Sequence, residues 1–223
     1  MEEGRDVAKF QPLAKAGECA DSDEELEGNG GQFTRKMAIG QVTIRLPLDP
    51  SPLNLIALAY GFIPWLLPAS FAAHWFIRRH FMALFGLLAS VFVSLLNEFC
   101  LKALINDPRP RQSANKRLDG SMKPGMPSGH VLNSATLMTW SLLEVCLNGP
   151  GMDSKHEALT MGWLVFILIL MVPVPWARWY NLDHTAAQCL CSIVLGIIFG
   201  FTAYLVRVHY FAHQWAPWAP WKV

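Results

Sequence analysis

Apolar residues in this chain come in long runs separated by short polar gaps, and the lengths of those runs set its plan. An α-helix needs about 20 predominantly apolar residues to cross a bilayer. The first such run is predicted at about 53–77, kinked by Pro64 and Pro68 and closed by Arg78, Arg79 and His80. A second covers about 81–105 and stops before Pro108 and Pro110, because a residue preceding proline is pushed out of helical geometry. Beyond a polar loop, 106–127, a third span starts near Gly129 and ends around Asn148-Gly149-Pro150. The fourth covers about 158–176 and the fifth about 187–207. The pattern therefore predicts an all-α, polytopic transmembrane helical bundle of about five spans, residues 53–207.

The flanks read differently. Residues 1–36 carry nine acids against five bases and the run Gly28-Asn29-Gly30-Gly31, so they are expected to form a disordered acidic tail. Residues 37–52 are an interfacial lead-in in which Val42-Thr43-Ile44-Arg45-Leu46 alternates like a weak strand. In the C-terminal tail, 208–223, Trp215, Trp218 and Trp221 resemble an interfacial anchor. Composition sharpens the membrane assignment: 52% of residues are hydrophobic, and nine are Trp. A formal net charge of only +1 points to no nucleic-acid partner. The five cysteines form an odd set, four of them in or beside apolar runs, and read as buried small hydrophobes instead of a disulfide framework or metal site.

With five spans, the loop 106–127 after the second and the gap around 177–188 after the fourth share the membrane face of the N-terminus, which is where the chemistry-bearing residues fall. Lys102 lies in the last turn of the second span. Arg109 is held between Pro108 and Pro110, which restrict its backbone, and its guanidinium suits bidentate binding of an oxyanion. The stretch Gly125-Met126-Pro127-Ser128-Gly129-His130 opens the third span; Ser128 is expected to cap it, with Gly129 and the helix N-terminus seating an anion beside His130. Arg178 precedes His184 by six positions, and His184 is expected to open the fifth span. Each base alone is explained by interfacial snorkelling. Together they describe an oxyanion site containing two histidines.

Lys102-x6-Arg109-Pro110, Pro127-Ser128-Gly129-His130 and Arg178-x5-His184 resemble, in order and spacing, the three signature motifs of the type 2 phosphatidic acid phosphatase family. The resemblance implies a phosphatase that uses neither metal nor cofactor. In it His184 is the nucleophile that forms a phosphohistidine, and His130 is the general acid. Lys102, Arg109, Ser128, Gly129 and Arg178 hold the phosphoryl oxygens.

Two positions depart from the family pattern: Ala177 stands for the usual serine, and Gln188 for the aspartate four residues after the histidine. The i,i+4 spacing lets the Gln188 carbonyl accept the His184 ring N–H, although an amide brings no charge. Asp183 is expected to point about 100° away on the same helix. His-Thr-x-x-Gln at 184–188, Asn97-Glu98, Asp107 and Gly125-Met126 are similar to the dolichyl diphosphatase branch. That branch implies hydrolysis of dolichyl diphosphate, a polyprenyl diphosphate lipid, at a luminal site in the endoplasmic reticulum membrane. The rival expectations are a lipid monoester phosphatase and a catalytically silent member of the fold.

Overall fold

The computed structural model describes residues 34–39, 42–47, 49–117, 120–148 and 157–211. The acidic stretch before residue 34, Cys19 within it and the tryptophans after 211 lie outside these. A two-stranded antiparallel hairpin comes first, β1 (Thr34–Ile39) against β2 (Val42–Pro47), with Ile39 opposite Val42 and Thr34 opposite Pro47. It is the departure, among the described residues, from an otherwise helical chain.

Helix α1 (Pro52–Arg78) starts where Ser51 accepts the Asn54 N–H and Pro52 takes a first-turn position that needs no donor. It runs through Pro64 and Pro68 and ends at Arg79, whose left-handed backbone returns its N–H to the Trp75 carbonyl at 2.8 Å. Helix α2 (Phe81–Leu96) passes into a π-helical turn, Asn97–Leu101, and then α3 (Lys102–Ile105). Helices α4 (Gly129–Asn148), α5 (Glu157–Met171), α6 (Pro173–Tyr180) and α7 (Ala186–Tyr210) complete the bundle. Leu66, Phe76, Phe92, Ile169, Leu190 and Ile198 face outward, as lipid-facing side chains do.

Four helical stretches are long and apolar enough to cross a membrane: Pro52–Arg78, Phe81–Ile105, Thr160–Tyr180 and Ala186–Tyr210. The third predicted span, α4, is not among them. At 20 residues it is about 30 Å long, but it lies inside the bundle and so need not be apolar all round. Val131, Leu132, Ala135, Leu137 and Trp140 are buried with Asn133, Ser134, Thr136 and Glu144. Asn133 illustrates how the polar positions are accommodated: its amide donates to the Ser90 hydroxyl at 2.8 Å and the Ser94 hydroxyl at 2.9 Å, both on α2.

The seam between α4 and α7 holds the bundle together. The two helices run parallel, with Ser128 beside Ser192 at one end and Glu144 beside Arg207 at the other. Gly196 and Gly200, a G-x-x-x-G pair, permit the approach. A Cβ on Gly200 would meet the Thr136 carbonyl at 2.5 Å, and one on Gly196 would meet Ala135 at the same distance. Of the four described cysteines, Cys100 and Cys146 turn outward and Cys191 is partly exposed. Cys189 is buried, so only that one behaves as the sequence leads one to expect.

Candidate active site

The loop after α3 brings the first two motifs to one end of the bundle. Asn106 takes a left-handed conformation that ends the helix, after which the chain folds back on itself. The Arg109 N–H donates to the Lys123 carbonyl at 3.4 Å, and the Gly125 N–H to the Asp107 carbonyl at 2.7 Å. Pro108 bridges Pro124, and Lys116 bridges Met122. Arg109 thereby lies next to the turn that carries Ser128, although nineteen residues separate them. A Cβ on Gly125 would lie 2.8 Å from the Gln188 amide and 2.9 Å from Arg109 Cγ, which is why a side chain is absent there.

The third motif is organised differently from its sequence expectation. Arg178 is not in a polar gap but in the last turn of α6, buried, where Tyr180 is tied to Asn54 at 2.8 Å and Asn181 to the Ala57 carbonyl at 3.2 Å. Helix α7 begins at Ala186 with Thr185 as its N-cap, so His184 and Asp183 lie before the helix. Asp183 consequently does not point away: it is buried and pairs with Arg178 at 3.0 Å, while Asn115 donates to it at 2.9 Å and Ser113 at 3.5 Å. Burial raises the Asp183 carboxyl above its ordinary value, and Arg178, Arg109 and these two hydrogen bonds pull it back.

Gln188 occupies the third position of a capping box with Thr185. Its amide orientation is dictated from both sides. Oε1 faces the Thr185 N–H at 3.2 Å, which can only donate; Nε2 faces Asp107 Oδ2 at 2.6 Å and the Pro108 carbonyl at 2.8 Å, which only accept. The same Oε1 lies 3.3 Å from His184 Nδ1. An acceptor at that position requires Nδ1 to carry the proton, leaving Nε2 with a free lone pair in the neutral ring. Burial depresses the His184 pKa well below the ordinary histidine value, with Arg109 and Arg178 adding to it and hydrogen bonds to Gln188 and the Gly125 backbone opposing.

The polar atoms that lack a partner converge in kind. Among the described residues, buried and unpartnered, are Arg109 Nη1, Arg178 Nε and Nη1, Ser128 Oγ, His130 Nε2 and His184 Nε2. Ser128 does not cap α4 with its hydroxyl; its own backbone N–H is taken by Ser192 Oγ at 2.7 Å. His130 stands in the first turn of α4, within electrostatic reach of Arg178, His184, Arg109 and Lys102. Burial and the neighbouring Arg178 lower the Arg109 guanidinium to about 10, still protonated at neutral pH. Donors of this kind, desolvated and facing two imidazole nitrogens, fit a tetrahedral oxyanion.

Lys102 and Gly129 sit at the margin of this cluster. The Lys102 ammonium is 2.5 Å from Glu98, one turn earlier. Gly129 lies under buried Asn97, whose amide nitrogen would be 2.9 Å from a Cβ there. Beside Lys102 a cavity of about 400 Å³ is lined by Glu98, Ala103, Asn106, Arg117, Lys123 and Pro124. Sequence reasoning left Asp107, Asp183, Ser113, Asn115 and Ser192 without a role in the site. Their sequence signal is proximity to a motif and, for Asp107, the branch resemblance, and neither says which way they face. No three His, Cys, Asp or Glu side chains among the described residues group as a metal-ligand set.

Comparison with curated proteins returns no match. Among solved structures, the fold is similar to the first transmembrane PAP2 type phosphatidylglycerolphosphate phosphatase from Bacillus subtilis, with a TM-score of 0.51 and 22% identity over 74% of this chain and 82% of that one. Residues 79–211, more than half of the sequence and all three motifs, match the PAP2 superfamily. The chain therefore belongs to the PAP2 superfamily, as a multi-pass membrane protein with a lipid phosphatase fold.

Proposed function

We propose that the protein hydrolyses dolichyl diphosphate to dolichyl phosphate and phosphate at this site, through a phosphohistidine on His184. The observation that carries the proposal is the set of unpartnered buried atoms at one end of the bundle: Arg109 Nη1, Arg178 Nε and Nη1, the Ser128 hydroxyl and two histidine Nε2 atoms. Arg109, Arg178, Ser128 and the Gly129 backbone hold the phosphoryl oxygens, with Lys102 at the edge. His184 Nε2 attacks phosphorus, and His130 gives its proton to the departing oxygen. Water then cleaves the N–P bond, returning the electron pair to Nε2 and its proton to His130.

Two features favour a diphosphate over a monoester. The cavity beside Lys102, with Arg117 and Lys123 on its wall, offers room and positive charge for a second phosphate. A phosphoanhydride also expels a lipid monophosphate, a better leaving group than an alkoxide, so it asks less of the nucleophile. The active face is then luminal in the endoplasmic reticulum membrane, and the product re-enters the carrier lipid pool for protein glycosylation. Phosphate release by purified protein from dolichyl diphosphate, dolichyl phosphate and phosphatidate, side by side, tests this. The diphosphate should be fastest, and His184→Ala should lose more than about 10³-fold. Equal rates on all three would refute the substrate, and release that survives His184→Ala would refute the mechanism.

A further inference from the structure

Gln188 stands between His184 and a carboxylate that the chemistry above has not used. We propose that Asp107 is a positioning residue for His184: acting through the Gln188 amide, it holds the ring with Nδ1 protonated and offsets the positive charge the ring takes on when Nε2 bonds to phosphorus. The inference rests on His184 being the nucleophile.

Every hydrogen-bonding position of the Gln188 amide is occupied. Oε1 accepts from His184 Nδ1 at 3.3 Å and from the Thr185 N–H at 3.2 Å, while Nε2 donates to Asp107 Oδ2 at 2.6 Å and to the Pro108 carbonyl at 2.8 Å. An amide has two donors and two acceptor lone pairs, so turning this one over loses four bonds. Gly125 packs against it so closely that a Cβ there would lie 2.8 Å from both amide atoms. The shortest of the four contacts is the charged one, and a carboxylate polarises the amide so that Oε1 becomes a stronger acceptor. A carboxylate is therefore present at this site after all, one residue further from the histidine.

The charge matters at one stage of the reaction. When the Nε2 lone pair forms the N–P bond and the oxygen on the lipid side leaves with its electron pair, the ring keeps its Nδ1 proton and becomes cationic. Around it stand Arg109 from the loop and Arg178 from α6, both cationic, with the His130 ring of α4 close by and Asp183 as the adjacent acid. Asp183 is already paired with Arg178. Asp107 is the acid connected to the ring by hydrogen bonds.

Asp107→Asn removes the charge and keeps an acceptor oxygen, so a merely structural anchor predicts little change. The positioning role predicts, on whichever substrate the wild-type protein hydrolyses best, a kcat lower by about tenfold or more with KM within about twofold. It also predicts that the acidic limb of the kcat/KM profile moves to lower pH. Adding Gln188→Glu to Asp107→Asn returns a carboxylate to the ring and should recover at least part of the lost kcat. Unchanged kcat and pH profile in Asp107→Asn, or no recovery in the double variant, would overturn the proposal. Nitrogen-15 NMR of His184 in detergent separates this from failure of the proposed function. If the wild-type protein releases phosphate from no lipid, the function falls, yet Asp107→Asn must still lower the His184 ring pKa; an unmoved titration overturns the relay.

Discussion

Two buried arginine–carboxylate pairs stand at opposite ends of the α4–α7 seam, and they are built in opposite ways. Arg207 meets Glu144 through two donors, Nε to Oε1 at 2.6 Å and Nη2 to Oε2 at 2.5 Å, and Trp140 adds its indole N–H to Oε1 at 3.1 Å. At the other end Arg178 gives Asp183 a single contact, at 3.0 Å, and keeps Nε and Nη1 unpartnered. Glu144 lies about 24 Å along α4 from Ser128. The chain thus uses the same two chemical groups once to close a structure and once to leave donors available. A bidentate pair consumes the guanidinium fork; a one-sided pair holds the fork in place and presents the rest of it.

That contrast is testable from both ends, and the largest effect belongs to the closed pair. Glu144→Ala removes the carboxylate from the buried Arg207 charge and should cost about 3–5 kcal/mol of stability, whereas Glu144→Leu with Arg207→Met should recover most of it. Denaturation in detergent would show this, and a harmless Glu144→Ala would remove the structural assignment. Next comes Arg178→Lys, which keeps charge and loses the fork. Activity should fall about 10²-fold with melting temperature little changed, while Arg207→Lys should lower melting temperature and leave kcat per folded molecule alone. If both lysine variants lose turnover equally, the two ends are not functionally distinct.

A smaller effect probes the seam that the two pairs share. Gly200→Ala places a methyl 2.5 Å from the Thr136 carbonyl and should destabilise by about 1–3 kcal/mol, without preference for either end. The smallest is the response to pH. The folded His184 pKa is depressed from 6.5, so below about pH 6.5 the unfolded chain takes up a proton that the folded chain does not. Stability contributed by this group is present above pH 6.5 and is lost as pH falls toward the folded value. Comparison of wild type with His184→Gln over pH 5–8 isolates that slope, and no difference between them would contradict the buried neutral ring. The acidic limb of kcat/KM should correspondingly lie below 6.5.

Much of the site was legible because its motifs are local. Pro-Arg-Pro restricts a backbone, and Pro-Ser-Gly-His starts a helix, whatever surrounds them. The misjudged residues depended on where a helix begins. With His184 taken as the first residue of a helix, Asp183 turns away; with the N-cap at Thr185, as found, Asp183 lies in a loop and reaches Arg178. Gln188 itself brings no charge, and no local pattern pairs it with Asp107, 81 residues away in the chain. A serine before a helix suits capping, yet the Ser128 hydroxyl is unpartnered.

By itself the amino-acid sequence determined the helical membrane plan, the order of the motifs and which residue types could bind a phosphoryl group. Span-forming apolarity is a sum over some twenty neighbours, and it needs no knowledge of the fold. Tertiary structure decided the rest: that α4 is enclosed and can carry Asn133, Thr136 and Glu144, that Asp107 backs Gln188, and that one arginine is closed while the other is left open. Those outcomes depend on register between elements far apart in the chain, from 39 residues for Asn133 and Ser94 to 81 for Asp107 and Gln188, and Gly196 and Gly200 set how closely α7 approaches α4. Apolar side chains carry such helices into lipid but do not choose their partners, because lipid tails are as apolar as the side chains. Hydrogen bonds and ion pairs, being directional and costly to leave unmade when buried, then select which side chains meet.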